Sequence, residues 1–187
     1  MTALPDIPRL YTALAECLAV LLVTPALAPR FSKAVTVGVT LLWAAVLSAF
    51  LGLTGNVPGG LWIPCMAAAI GLSYLYLWGV WSITLLEAGY HCARAFILAE
   101  LAASVEWQLH CALWPARSPW GPLSLLLLAL VYGALFGGMC YWLHISPQPA
   151  GHLQISGSAA LTAVMLALTA FAVSNLGFLP GSDINMS

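Results

Sequence analysis

Glu87, His91 and Arg94 are spaced four and three residues apart. On a helix that puts an acid, an imidazole and a cation on one face. Glu100, Ser104 and Gln108 form a second row at spacings of four, and Glu106 and His110 form a third pair. Rows of this kind can pair charges, hold a ligand or relay a signal. They do not share one narrow stripe, so the segment 87–114 does not read as a simple surface helix. It fits a bundle interior, a subunit contact or the headgroup zone. Ionisable residues are costly inside a membrane and usually have a role there. The plainer alternative is an anchor, with Arg94 paired to a neighbouring acid as a structural lock.

Metal chemistry is disfavoured by spacing. His91-Cys92 and His110-Cys111 look like paired ligands. Nineteen residues on one helix separate them by about 28 Å, too far to share an ion. Each pair alone lacks the four ligands of a structural zinc. His144 and His152 flank a Pro-rich loop, and no acid or cysteine close in sequence completes a site there. The five cysteines (Cys17, Cys65, Cys92, Cys111 and Cys140) are odd in number and contain no C-x-x-C, which argues against a disulfide framework. Phosphate-binding loops, a nucleophile elbow and H-E-x-x-H are all missing from the sequence. The chain is expected to bind no metal or cofactor and to carry no enzyme activity of its own.

These residues sit in a chain built for lipid. It has 187 residues, 62 % of them hydrophobic, with five Lys or Arg and six Asp or Glu, only 6 % charged. Mean hydropathy is +0.97. A soluble domain of this size leaves roughly a third of its unfolded surface exposed, and here too little of that surface is polar. A formal charge of -1 excludes a nucleic-acid surface, which needs clustered Lys and Arg. The fold class is therefore all-α: a single polytopic membrane bundle over 1–187, multi-pass in the cell membrane. A crossing needs about 20 apolar residues. Five clean spans are predicted at about 10–28, 34–53, 61–86, 123–143 and 158–179. The polar helix 87–114 either crosses or lies at the cytoplasmic interface.

Within the spans, a few residues stand out. Glu16 reads either as a proton or ion ligand or as a contact for the polar helix. Pro64 falls in the first turn of its span as drawn, where a missing N–H costs little. Trp62, Trp114, Trp120 and Trp142 suit interfacial belts. Gly133 and Gly137 form a small-xxx-small face for close helix packing. Basic residues give the orientation. If 87–114 stays at the surface, Arg30, Lys33, Arg94 and Arg117 share one side and only Arg9 lies opposite. That count favours five crossings with the N-terminus outside. If 87–114 crosses, the sides are even, with Arg9 and Arg117 facing Arg30 and Lys33.

The run YHCARAFILAELAASVEWQLHCALW (Tyr90–Trp114) resembles a stretch in the N-terminal membrane domains of Firmicutes-type sensor histidine kinases of the GHKL class. FAVSNLGF (Phe171–Phe178) is similar to the segment those receptors carry before their cytoplasmic part. The resemblance covers about 35 residues by these two motifs. It implies a bacterial sensor half of a two-component system, with input passed through the helices to a kinase. Arg94, Glu100, Glu106, Trp107 and Gln108 are the positions it carries over, as candidates for signal coupling. A phosphoacceptor helix and an ATP-binding domain do not follow the last span in this sequence. The expectation is a truncated kinase or a stand-alone relative acting through a partner.

The expected partners are the bilayer, a second copy or a membrane or kinase protein, and a small ligand or peptide. A small transporter, or a substrate-binding transporter subunit, is the alternative. It would need a ligand-sized pocket lined by Trp and by Glu16, Glu100 or Arg94. A structural helper packing against a larger complex is the third reading.

Overall fold

A chain with few polar side chains must satisfy its backbone hydrogen bonds internally, and in lipid helices do this segment by segment. The computed structural model describes residues 7–55, 59–114, 118–145 and 157–175, and they form six helices. In order these are α1 (Arg9–Val23), extended by a 3-10 turn at Thr24–Ala26, α2 (Lys33–Leu53), α3 (Gly59–Val80), α4 (Leu85–Leu113), α5 (Pro122–Ile145) and α6 (Gly157–Asn175). Among the described residues the only β pairing is an isolated bridge between Pro29 and Trp81.

Among the described residues, four stretches are long and apolar enough to cross a membrane: Arg9–Ala26, Lys33–Leu53, Ile63–Val80 and Pro122–Ile145. The fifth expected span is helical over Gly157–Asn175, and its last residues, 176–179, lie outside the described residues. Two sequence expectations need correction. The third span ends at Val80 rather than at 86, because the chain turns at Trp81–Thr84 and Leu85 and Leu86 already belong to α4. Pro64 lies inside α3, past its first turn, because the helix begins at Gly59. There it leaves one helical acceptor without its N–H donor.

Hydrogen bonds fix which helix ends meet. At one end the α1–α2 link is pinned to the α3–α4 link. Arg30 N–H donates to Val80 O at 2.9 Å, Ser82 N–H to Ala28 O at 2.8 Å, and Arg30 Nε–H to Trp81 O at 2.7 Å. At the other end the Tyr11 hydroxyl donates to Pro119 O, and its ring meets Trp120 edge-on at 5.5 Å. Arg9 lies against Gly55 at this same end. So α4 starts at the Arg30 end and finishes at the Arg9 end, antiparallel to α1. At 29 residues it is about 44 Å long. It runs alongside its neighbours between the two ends.

Among the described residues, α4 meets more of the other helices than any other helix does. It packs along α1 and α6 and touches α3 and α5. The outward residues are apolar, among them Leu41, Leu42, Leu126 and Leu130. Trp120 and Trp142, both exposed, bracket α5, as interfacial anchors do. Trp43 is instead buried, stacked on Tyr76 at 4.4 Å where α2 meets α3.

Candidate functional site

The site is the seam between α4 and its neighbours. α4 begins with a reciprocal capping box: Glu87 N–H donates to Thr84 Oγ1 at 3.2 Å, and Thr84 N–H to Glu87 Oε2 at 2.7 Å. This satisfies two of the first-turn donors and sets the start of the helix. Glu87 therefore has a structural task. The approach of α1 is permitted by small side chains. Ala15 and Ala19 of α1, and Ala88, Ala95, Ala99 and Ala102 of α4, are all buried. Alanine leaves little between two backbones, so the helices pack closely.

The remaining candidates divide by burial. His91 is buried, its Nδ1 has no hydrogen-bond partner, and its ring meets Tyr90 edge-on at 5.5 Å. The Arg94 guanidinium lies 5.4 Å from the Tyr90 ring centre, a cation–π contact. Glu100 is half-buried, and Arg9 is close enough to attract its carboxylate. Trp107 is buried and stacks on His110, with ring centres 5.0 Å apart and planes 3° apart. Gln108 is exposed, so the Glu100–Ser104–Gln108 row runs outward rather than into one site. Gly133 and Gly137 face open space: a Cβ added at either meets nothing within 4 Å. Among the described residues the expected close packing on that face does not occur, because α5 turns it outward.

Two carboxyls remain deep in the seam. Glu106 has 0 % exposure, and among the described residues neither of its oxygens has a hydrogen-bond partner. Tyr11 and Tyr132 are near enough to feel its charge. Those two tyrosines are themselves linked, the Tyr132 hydroxyl donating to Tyr11 O at 2.9 Å. Glu16 is 4 % exposed, and its Oε1 has no partner. It lines a cavity of about 10 Å³ with Ile70, Ser73, Cys92 and Phe96, where α1, α3 and α4 meet. Both readings of Glu16, as a ligand and as a contact for the polar helix, converge on this junction.

Sequence reasoning missed Tyr11, Tyr132 and Ser73. The two tyrosines are 121 residues apart, and nothing local links them. Ser73 had a faint signal, as the single serine of α3 in an uncharged run. Chemically, the seam offers isolated carboxyls, imidazoles and hydroxyls in a low-dielectric interior. Among the described residues, no three His, Cys, Asp or Glu side chains gather as a metal site would require. His152 lies outside the described residues. Compared with known protein families, curated proteins and solved structures, the chain matches none.

Proposed function

We propose that the chain is the input domain of a membrane signalling system, crossing the bilayer six times, with α4 as its coupling helix. The observation that carries this reading is Glu106, a fully buried carboxyl near Tyr11 and Tyr132 that has no hydrogen-bond partner among the described residues. A buried polar group without partners costs a fold about 1–3 kcal/mol, and more if it is charged. Intramembrane ionisable groups are kept for function. An α4 strained in this way has a second packing within reach, and a bound ligand or neighbour can select it. The likeness of Tyr90–Trp114 to GHKL sensor kinases falls on this helix. On that reading Arg94, Glu100, Glu106 and Trp107 pass the shift along α4, and a partner kinase supplies catalysis.

The transporter-subunit alternative needs a pocket of several hundred Å³. Among the described residues, the cavity beside Glu16 is far smaller, at about 10 Å³. Cross-linking in native membranes followed by mass spectrometry tests the proposal. Cross-links to a protein with a GHKL-type ATPase domain are expected. Recovery of the chain with no signalling protein, together with solute uptake by the purified protein in vesicles, overturns it.

A further inference from the structure

Three helices and a connection meet around Glu106, at the Arg9 end of the seam. The Tyr11 hydroxyl of α1 donates to Pro119 O in the α4–α5 link, and the Tyr11 ring meets Trp120 edge-on. The Tyr132 hydroxyl of α5 donates to Tyr11 O at 2.9 Å. The Glu106 carboxyl of α4 is near enough to both tyrosines for its charge to reach them. It is fully buried, and among the described residues neither oxygen has a hydrogen-bond partner. From Glu106 to the end of α4 at Leu113 the helix rises only about 10 Å, a short way for a proton from the water. We propose that Glu106, Tyr11 and Tyr132 form a proton-operated latch, closed while Glu106 holds a proton and opened when that proton leaves.

The closed form depends on hydroxyls that are already in use. A carboxyl without a partner is tolerated in this interior when neutral and is far more costly when ionised. Once ionised, it accepts charge-assisted hydrogen bonds roughly twice as strong as those to a neutral carbonyl. The two phenols beside it are donors at hand, and each now donates to a backbone carbonyl. If either turns to the carboxylate, the bond from Tyr11 to Pro119 or from Tyr132 to Tyr11 is lost. Either loss frees the start of α1, from the α4–α5 link or from α5. The two arrangements of the same donors exclude each other, and the proton selects between them.

The titratable neighbours are few. On α1, Arg9 acts on Glu100, and Glu16 is coupled to Glu100 rather than to Glu106. On α4 itself, Cys111 feels the charge of Glu106, and His110, stacked on Trp107 one turn on, can turn positive. On α5, Tyr132 is the facing group. α3 brings Cys65, Tyr74 and Tyr76, but the Tyr74 hydroxyl donates to Leu85 O and the Tyr76 hydroxyl meets Thr40. α6, Gly157–Asn175, contains no titratable side chain. The latch rests on the reading of α4 as a coupling helix and names the proton as one of its inputs. The two fail separately: absence of a kinase partner leaves the latch standing, and a seam indifferent to pH leaves the kinase reading standing.

Hydrogen–deuterium exchange of the full chain in nanodiscs tests it, read in the first turn of α1 (residues 11–14), with each rate divided by the chemical exchange rate at that pH. The closed form binds the proton and the open form releases it, so rising pH favours opening. Between about pH 5 and pH 9, exchange there should rise with pH, by up to about tenfold per unit once Glu106 titrates. Amides of α2 should not follow. Glu106→Gln, which keeps the shape of the protonated acid, should stay protected throughout.

Protection that ignores pH overturns the proposal, as does a rise shared by α2, which is general unfolding. A pH response that survives in Glu106→Gln also overturns it and points to His110 or another acid. Should Glu106→Gln fail to fold, the carboxyl-carbon NMR shift of Glu106 in the wild type decides, assigned through Gln variants of Glu16, Glu87 and Glu100. A titration that coincides with the rise in exchange supports the latch, and a carboxyl that keeps one state across the range overturns it.

Discussion

The α1–α4 seam and the outward faces of α2 and α5 are built on opposite plans. The seam has small alanines, two enclosed carboxyls and two buried imidazoles, His91 and His110. The outward faces have large aliphatic side chains, with Leu41 and Leu130 more than 60 % exposed. In a soluble protein the plan is reversed, with polar groups outside and apolar groups within. The difference shows what each region is for. Lipid contact asks only for apolar bulk, so α2 and α5 have little to specify beyond length. The seam holds two helices in one register around groups that lipid cannot solvate, and a change there is felt by both helices.

The sharpest way to break this contrast is to overfill the seam. Ala15→Phe should destabilise the protein by about 2 kcal/mol, because Ala15 is fully buried and the α1–α4 approach leaves no room. Reversible unfolding in mixed micelles reads this directly, and a neutral result would mean that the seam is loose. Glu106→Leu should act in the opposite sense. Removing an unpartnered buried carboxyl for an apolar side chain of similar size should stabilise the fold by about 1 kcal/mol. A loss of stability in the same assay would reveal a partner that keeps Glu106 in place. Thr84→Ala removes one half of the capping box and should cost about 1 kcal/mol, with hydrogen exchange rising first in the opening turn of α4. Leu130→Ala, on the outward face, should change stability by less than about 0.5 kcal/mol, since no packed neighbour is lost. A larger effect would mean that α5 is covered by another chain.

Hydropathy made the lipid-facing helices legible. α2 and α5 lie within a residue or two of where their apolar runs put them, because nothing but those runs specifies them. The course of α4 was not legible. Its polar residues sit on several faces, which suits a helix enclosed by neighbours and a helix at an interface equally well. The boundary error at 80–86 had a remedy in the sequence: Thr84 followed three residues later by Glu87 is a capping-box signature, and it marks a new helix there. The seam itself lay beyond the sequence. Glu16, Ser73 and Cys92 meet at one cavity only because α1 and α3 both pack on α4, and no local pattern encodes that meeting.

The central claim is that α4 runs through the membrane with its neighbours, and cysteine accessibility tests it most directly. Single cysteines at Asn56 and Ser118, in a chain whose five native cysteines are replaced by alanine, are treated with a membrane-impermeant maleimide from either face. Ser32→Cys serves as the marker for the opposite end. If α4 crosses, Asn56→Cys and Ser118→Cys label from the same face and Ser32→Cys from the other. Labelling of Asn56→Cys and Ser118→Cys from opposite faces would contradict the account and return α4 to the membrane surface.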